Sequence, residues 1–277
     1  MNYIKVSFGF DHIEDYQQDI LIAELAEIGF DTFEDTPTGF DAFVVEQQFE
    51  EAELERMLAE QDFECHYEVK PIASQNWNEE WEKNFSPLII SDDCYVRATF
   101  HEAKPKYRYE IVIDPKMAFG TGHHQTTTMM MQYILETDFL GKKVLDMGAG
   151  TAILGILASK RGAKQVVAID YDEVCYESAI DNAQLNHVDN LVSLCGSKEA
   201  IPDETFDIIL ANINRNILLD QIYRYAEVLK IDGEIFFSGF YETPDLDIIK
   251  VHCEQFGLYY VSHKKINDWV AAKFVKS

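Results

Sequence analysis

The run Val144-Leu145-Asp146-Met147-Gly148-Ala149-Gly150-Thr151, followed 22 residues after its first glycine by Asp170, constrains this chain more than any other feature. Val144 and Leu145 suit a buried strand, and the apolar stretch from Ile153 to Ala158 suits a helix packing back on the sheet. Between them Gly148 and Gly150 let backbone approach a ligand closely. Asp170 ends the next apolar run, 165–169, where a carboxylate can accept two hydrogen bonds from ribose hydroxyls. The arrangement predicts a nucleoside-binding crevice. A dinucleotide fingerprint G-x-G-x-x-G/A needs a third small residue at 153, which is Ile153, and Gly155 comes two residues too late. Asp146 would repel a pyrophosphate and attract an ammonium. Spacing and charge favour S-adenosylmethionine. The plainer alternative is a glycine-rich strand-to-helix turn with no ligand, and the placement of Asp170 weighs against it.

A chain of 277 residues is natural for two domains. Its 49 acidic and 23 basic residues leave a net charge of −26, which argues against direct contact with a nucleic-acid backbone and for a basic partner. Solubility alone is the rival explanation of that charge. Cys65, Cys94, Cys175, Cys195 and Cys253 show no C-x-x-C spacing, so reduced thiols are expected, with neither a disulfide framework nor a metal site. The first ten residues carry one lysine in an alternating pattern, unlike a signal peptide, and no stretch reaches transmembrane length. The expectation is a cytoplasmic protein without membrane contact.

Residues 3–9 alternate, with Ile4, Val6 and Phe8 on one face of a strand. Ile20, Leu21, Leu25 and Ile28 recur at helical spacing before Gly29. Strands near 31–35 and 40–47 flank the turn sequence Thr36-Pro37-Thr38-Gly39, a helix over 50–60 turns Leu54 and Leu58 inward, and 63–69 alternates again. The order βαββαβ over residues 1–70 predicts a ferredoxin-like domain, and it contains no catalytic constellation. His66 beside Cys65 is no metal pair, because adjacent strand residues point to opposite faces. Trp77, Trp81 and Phe85 then recur every four residues after Ser74, which predicts a short linker helix within 71–87.

Residues 88–277 predict an α/β domain. Short strands near 94–100 and 109–113 precede strands at 143–146, 165–169, 191–194, 206–211 and 233–239, separated by helical segments, as in a mostly parallel sheet covered on both faces. Leu258 to His263 and Trp269 to Val275 are joined by too few residues for a crossover helix and must pair antiparallel. A mostly parallel sheet ending in an antiparallel strand resembles the Rossmann-like fold of class I methyltransferases, and dehydrogenase folds normally lack it.

Two segments narrow the chemistry. Met117-Ala118-Phe119-Gly120-Thr121-Gly122-His123-His124-Gln125-Thr126-Thr127-Thr128 precedes an apolar helix expected to begin near Met129. Glycines, hydroxyls and a helix N-terminus would gather donors around an anionic group such as the carboxylate of a methionine moiety. Capping of the helix by Thr126 or Thr127 is the simpler reading. Asn212 closes the strand 206–211 at the carboxyl edge, where open α/β proteins bind ligands. Its amide oxygen and a neighbouring backbone carbonyl can accept hydrogen bonds from an amine and aim the nitrogen lone pair at a methyl group. Asn212 is therefore the expected catalytic positioning residue. His123 and His124 are general-base candidates only by position.

At these residues the chain resembles the ribosomal protein L11 methyltransferases, PrmA, along its whole length. The family's loop A-F-G-T-G-T-H-P-T-T is matched by Ala118 to Thr127, with His123 and Gln125 in place of Thr and Pro. The resemblance implies a ferredoxin-like substrate-recognition domain, a linker, and a class I domain that trimethylates amino groups of a basic ribosomal protein and releases S-adenosylhomocysteine. It places cofactor contacts on Thr127, Gly148, Gly150, Asp170 and Asn212; a monomer is expected, and the net charge argues against nucleic-acid contacts of its own. The family's A-N-I-L has Asn214 here in place of its leucine. Two rivals stay open: a lysine methyltransferase for another protein, such as those acting on electron-transfer flavoprotein, and a non-enzymatic cofactor-binding module.

Overall fold

The computed structural model describes residues 3–10, 13, 15–61, 63, 65–72, 86–114 and 124–277. The expected linker helix with Trp77, Trp81 and Phe85 lies outside them, as do residues 117–123 of the loop. The chain divides into two compact units, Met1–Asn84 and Phe85–Ser277.

The first unit runs β1 (Tyr3–Gly9), α1 (Asp15–Glu27), β2 (Phe30–Thr36), β3 (Gly39–Val45), α2 (Glu51–Leu58) and β4 (His66–Ile72). Its antiparallel sheet has the ferredoxin-like order β2-β3-β1-β4. Ile4, Val6 and Phe8 of β1 bury one face against Leu21 and Leu25 of α1 and Leu54 of α2. Leu21 and Leu25 stand one turn apart on a single stripe. Ile20 falls beside that stripe and is 50% exposed. β4 starts three residues later than the alternation suggests, because its register is set by β1, from Gly9 opposite His66 to Tyr3 opposite Ile72. Pro71 is tolerated there because β4 is an edge strand.

The second unit begins with a small sheet, β5 (Leu88–Ile90), β6 (Cys94–Ala98) and β7 (Tyr109–Ile113). It continues with α3 (Gln125–Glu136), β8 (Lys143–Met147), α4 (Ile153–Lys160), β9 (Gln165–Asp170), α5 (Glu173–Leu185), β10 (Leu191–Cys195), β11 (Phe206–Asn212), α6 (Arg215–Val228), β12 (Leu229–Tyr241), α7 (Asp247–Glu254), β13 (Leu258–Ile266) and β14 (Trp269–Lys276). The seven-stranded sheet has the order β10-β9-β8-β11-β12-β14-β13. β14 is antiparallel to both β12 and β13, so the antiparallel strand is inserted between two others and β13 forms the edge. β12 starts four residues earlier than its apolar run indicates, since Leu229 is buried and pairs with Phe206.

Each strand feeds two cores. Val144, Ile208 and Phe236 face α3 and α4 on one side. Leu145, Ile209 and Phe237 face α6 and α7 on the other. Burial on both faces explains why the strands read as continuous apolar runs. From β8 the chain winds outward through β9 and β10, then crosses back to β11 on the other side of β8. That reversal opens a crevice at the carboxyl ends of β8 and β11, where the helices that follow them diverge.

The edge of β7 is satisfied by side chains. Asn186 of the turn after α5 accepts from Val112 N–H (2.9 Å) and donates to the Val112 carbonyl (2.6 Å). One turn earlier, Asn182 accepts from Asp114 N–H (2.8 Å) and donates to the Thr151 carbonyl (3.2 Å). The two amides do the work of a neighbouring strand, and Asn182 is fully buried. Asn182→Ala removes its hydrogen bonds to Asp114 and Thr151, each with a net contribution of about 0.5–1.5 kcal/mol. Urea unfolding should show a loss of about 1–3 kcal/mol, and Asn182→Asp, which sets a buried carboxylate against the Thr151 carbonyl, should lose at least as much.

Candidate active site

The turn after β8 folds back on the end of β9. Gly148 and Ala149 N–H both donate to the Ile169 carbonyl (2.8 and 3.1 Å), and Ala152 N–H donates to the Ala149 carbonyl (2.7 Å). Gly150 N–H donates to Asp170 Oδ2 at 2.8 Å, while Asp170 Oδ1 accepts from Asp172 N–H at 3.1 Å. Gly148 and Gly150 have φ of +65° and +54°, where glycine is at no disadvantage. Ala152 holds φ +57° at the N-cap of α4, a left-handed conformation that costs an alanine about 1 kcal/mol or more. With these four amides donated inside the protein, the turn offers them to no pyrophosphate. A carboxylate has about four acceptor positions; two of Asp170's are filled by amides, and the others suit a ribose.

Asp146 sits beneath this turn rather than in it. It is buried, and its Oδ2 accepts from Gly155 N–H of α4 at 2.9 Å. Oδ1 has no partner among the described residues. Burial pushes its carboxyl up to about 7, with the Gly155 amide opposing and the Asp170 charge adding to the rise. The expectation that Asp146 attracts a ligand's ammonium is corrected: it anchors the first turn of α4 and carries only part of a charge at neutral pH.

Across the crevice, α3 starts one turn before the expected position. Its N-cap is His124, whose Nδ1 accepts from Thr126 N–H at 3.3 Å and lies 2.7 Å from Thr126 Oγ1. Thr126 and Thr127 are thus inside the helix and buried. His124 serves as the cap of this helix. Its ring packs edge-on against Trp269 at 4.7 Å, and Trp269 lies against Tyr241 at 4.3 Å. One turn on from His124, Thr127 Oγ1 accepts from Asn212 Nδ2 at 3.3 Å. In this arrangement the NH2 group of Asn212 faces α3 and Oδ1 points away from Thr127 as an acceptor.

A family model for "Ribosomal protein L11 methyltransferase (PrmA)" matches residues 13–277. The chain is 43% identical to the ribosomal protein L11 methyltransferase of Phocaeicola vulgatus, covering 99% of both chains. It is 41% identical to that of Bacteroides fragilis, over 99% of this chain and 100% of the relative. This protein belongs to the ribosomal protein L11 methyltransferase family. A solved structure of a ribosomal protein L11 methylase from Lactobacillus delbrueckii subsp. bulgaricus superposes with a TM-score of 0.65 at 30% identity, covering 70% of this chain and all of that one. The fold is the Rossmann-like class I methyltransferase fold.

In this family member the structure brings Thr127 and Asn212 into contact, and Gly150 and Asp170 into contact, on the two sides of one crevice. Asn214, where the family pattern has leucine, caps α6 by accepting from Ile217 N–H at 3.2 Å, a position that favours asparagine. Among the described residues no cluster of three or more His, Cys, Asp or Glu side chains is arranged for a metal. Sequence reasoning missed Gly239, which has φ +95° at a β12 bulge and packs against the backbone of residue 213. A glycine inside the run Phe236-Phe237-Ser238-Gly239-Phe240 was its signal.

The raised Asp146 carboxyl fixes the sign of a pH effect. Between the unfolded carboxyl near 4 and the folded one near 7, the folded protein binds more protons. The stability contributed by Asp146 is therefore complete below about pH 4, is lost as pH rises through 7, and changes no further above it. Asp146→Asn keeps the acceptor for Gly155 and removes the titration. Thermal unfolding from pH 4 to 9 should show the variant gaining on the wild type up to about pH 7, then a constant difference. A difference independent of pH would show an ordinary carboxyl at 146.

Proposed function

We propose that this protein transfers methyl groups from S-adenosylmethionine to amino groups of ribosomal protein L11, up to the trimethylated state, in the cytoplasm and as a monomer without nucleic-acid contacts of its own. The relatives' activity supports the substrate, and one observation carries the mechanism: Asn212 stands at the carboxyl edge of β11 with its NH2 group on Thr127 Oγ1, which leaves Oδ1 to accept from an amine.

The chain's residues fit the cofactor. Asp170 has acceptor positions left for ribose hydroxyls, Gly148 and Gly150 let the nucleoside lie close to backbone, and Thr127 borders the methionine end. When bound, S-adenosylmethionine supplies a methyl group on a positively charged sulfur and leaves as S-adenosylhomocysteine. Asn212 Oδ1 and the adjacent backbone carbonyl hold the amine's hydrogens, which points the nitrogen lone pair along the line of transfer. The N–C bond forms as the S–C bond breaks, and the new ammonium loses its proton to water before another methyl can be accepted. A lysine with a pKa of about 10.4 needs the crevice to favour its neutral form, whereas an α-amino group near 8 needs less help. Asn212 cannot take the proton, so its role is alignment.

Charge is concentrated in the first unit. Residues 1–84 hold 22 acidic and 4 basic side chains, so −18 of the chain's −26 lies there. This supports substrate recognition of a basic protein by the ferredoxin-like unit, with residues 71–87 as linker and 88–277 as the catalytic domain. Raising salt from about 0.05 to 0.3 M shortens the screening length below 10 Å and should raise KM for L11 severalfold with kcat steady. A salt-independent KM would remove the electrostatic role.

The direct test is transfer of labelled methyl to purified L11 in single-turnover reactions with saturating cofactor. Asn212→Ala should lower the rate by on the order of 100-fold, because misalignment acts on the transition state. Asn212→Asp keeps an acceptor but adds charge that raises the amine's pKa, so its rate should recover as pH rises from about 7 to 10. Wild-type turnover in the Ala variant would remove Asn212 from the reaction.

A further inference from the structure

The glycine turn and the Asn212 loop meet at one residue. Ile213 is half-buried at the end of β11, and β11 lies between β8 and β12. A Cβ built on Gly148 after β8 would collide with Ile213 Cγ2 and lie 3.6 Å from Ile213 Cβ. A Cβ built on Gly239 of β12 would collide with the Ile213 carbonyl oxygen and lie 2.7 Å from its carbonyl carbon and 3.0 Å from its nitrogen. Residue 213 is thus gripped from both sides, by its side chain at Gly148 and by its backbone at Gly239.

We infer that Ile213 is a positioning residue, which transmits the geometry of the glycine turn to Asn212 and holds the acceptor ready before substrate arrives. The inference rests on the reading of Asn212 as the group that aligns the amine. A residue just past a strand has two soft dihedrals, and a reactive geometry must be held to about 0.5 Å. Contact with two neighbouring backbones removes that freedom. The β-branch matters as well: two heavy atoms on Cβ stiffen χ1, so Cγ2 stays in the hollow left by Gly148. Gly148 and Gly239 are each required twice, for a positive φ and for the space that residue 213 occupies. The turn that receives the nucleoside and the loop that receives the amine are consequently one mechanical unit.

The two glycines differ in what would relieve a substitution, and that difference is the test. Single-turnover rates with L11 are measured beside cofactor Kd by calorimetry. Ile213→Ala should lower the rate about 10-fold with Kd within about twofold, and Ile213→Val, which keeps the β-branch, should recover most of the loss. Gly148→Ala should lose on the order of 100-fold in rate, and the double variant Gly148→Ala/Ile213→Ala should regain at least about 10-fold, because the collision is with a side chain. Gly239→Ala should lose a similar amount and regain none from Ile213→Ala, because its collision is with backbone. Wild-type rate in Ile213→Ala overturns the inference, as does a Gly148→Ala rate defect that the second change leaves unrelieved. If Gly148→Ala fails to fold, the Ile213 pair decides alone. Asn212→Ala separates the two levels: full turnover there means the alignment reading has failed, whereas an inactive Asn212→Ala beside a wild-type Ile213→Ala means that only the inference about Ile213 has failed.

Discussion

The closure of the β8 turn onto the end of β9 is the contact on which the rest of the catalytic unit depends. One carbonyl, of Ile169, takes two amides of the turn, and one carboxylate, of Asp170, takes a third. These bonds consume donors that a pyrophosphate-binding loop would leave free, and they bring Asp170 to the mouth of the crevice with acceptor capacity remaining. They also set the height of Gly148 against residue 213.

The opposite wall has a different origin. Helix α3 is stopped by His124, whose ring is seated on Trp269, and the helix presents Thr127 one turn later. Trp269 belongs to the strand inserted between β12 and β13, so the antiparallel end of the sheet reaches the site through α3. Asn212 lies between these walls, with its amide oriented by Thr127 and its following peptide held by Gly239. Charge has little part in this local construction. It is concentrated in the first unit.

Much of this was legible in the residues. Alternation placed β1, and the helical recurrence of Leu21 and Leu25 placed α1, although neighbouring Ile20 of the same run is exposed. The short connection at Asn267 and Asp268 predicted the antiparallel pair, and the glycines with Asp170 predicted the crevice. The place of Asn212 at the carboxyl end of a buried strand was legible from the apolar run before it. The start of α3 was not, since a histidine cap depends on an aromatic surface 145 residues away in sequence, at Trp269. The edge of β7 was hidden for the same reason: Asn182 and Asn186 read as ordinary helix polar residues until the strand they satisfy is placed beside them.

The sequence by itself determined the class of fold, the order of the elements and the identity of the groups able to do chemistry, because these follow from local periodicity, spacing and side-chain type. Tertiary structure alone decided how those groups are used. Asp146 appeared as a charge for a ligand and became a buried anchor for α4, because burial opposes its ionisation and Gly155 takes its oxygen. Gly239 was one glycine in a strand until β12 lay beside β11 and the missing Cβ became room for the peptide of residue 213. Local pattern specifies which faces must be buried; it does not specify which atoms of distant segments then come within a few tenths of an ångström of each other.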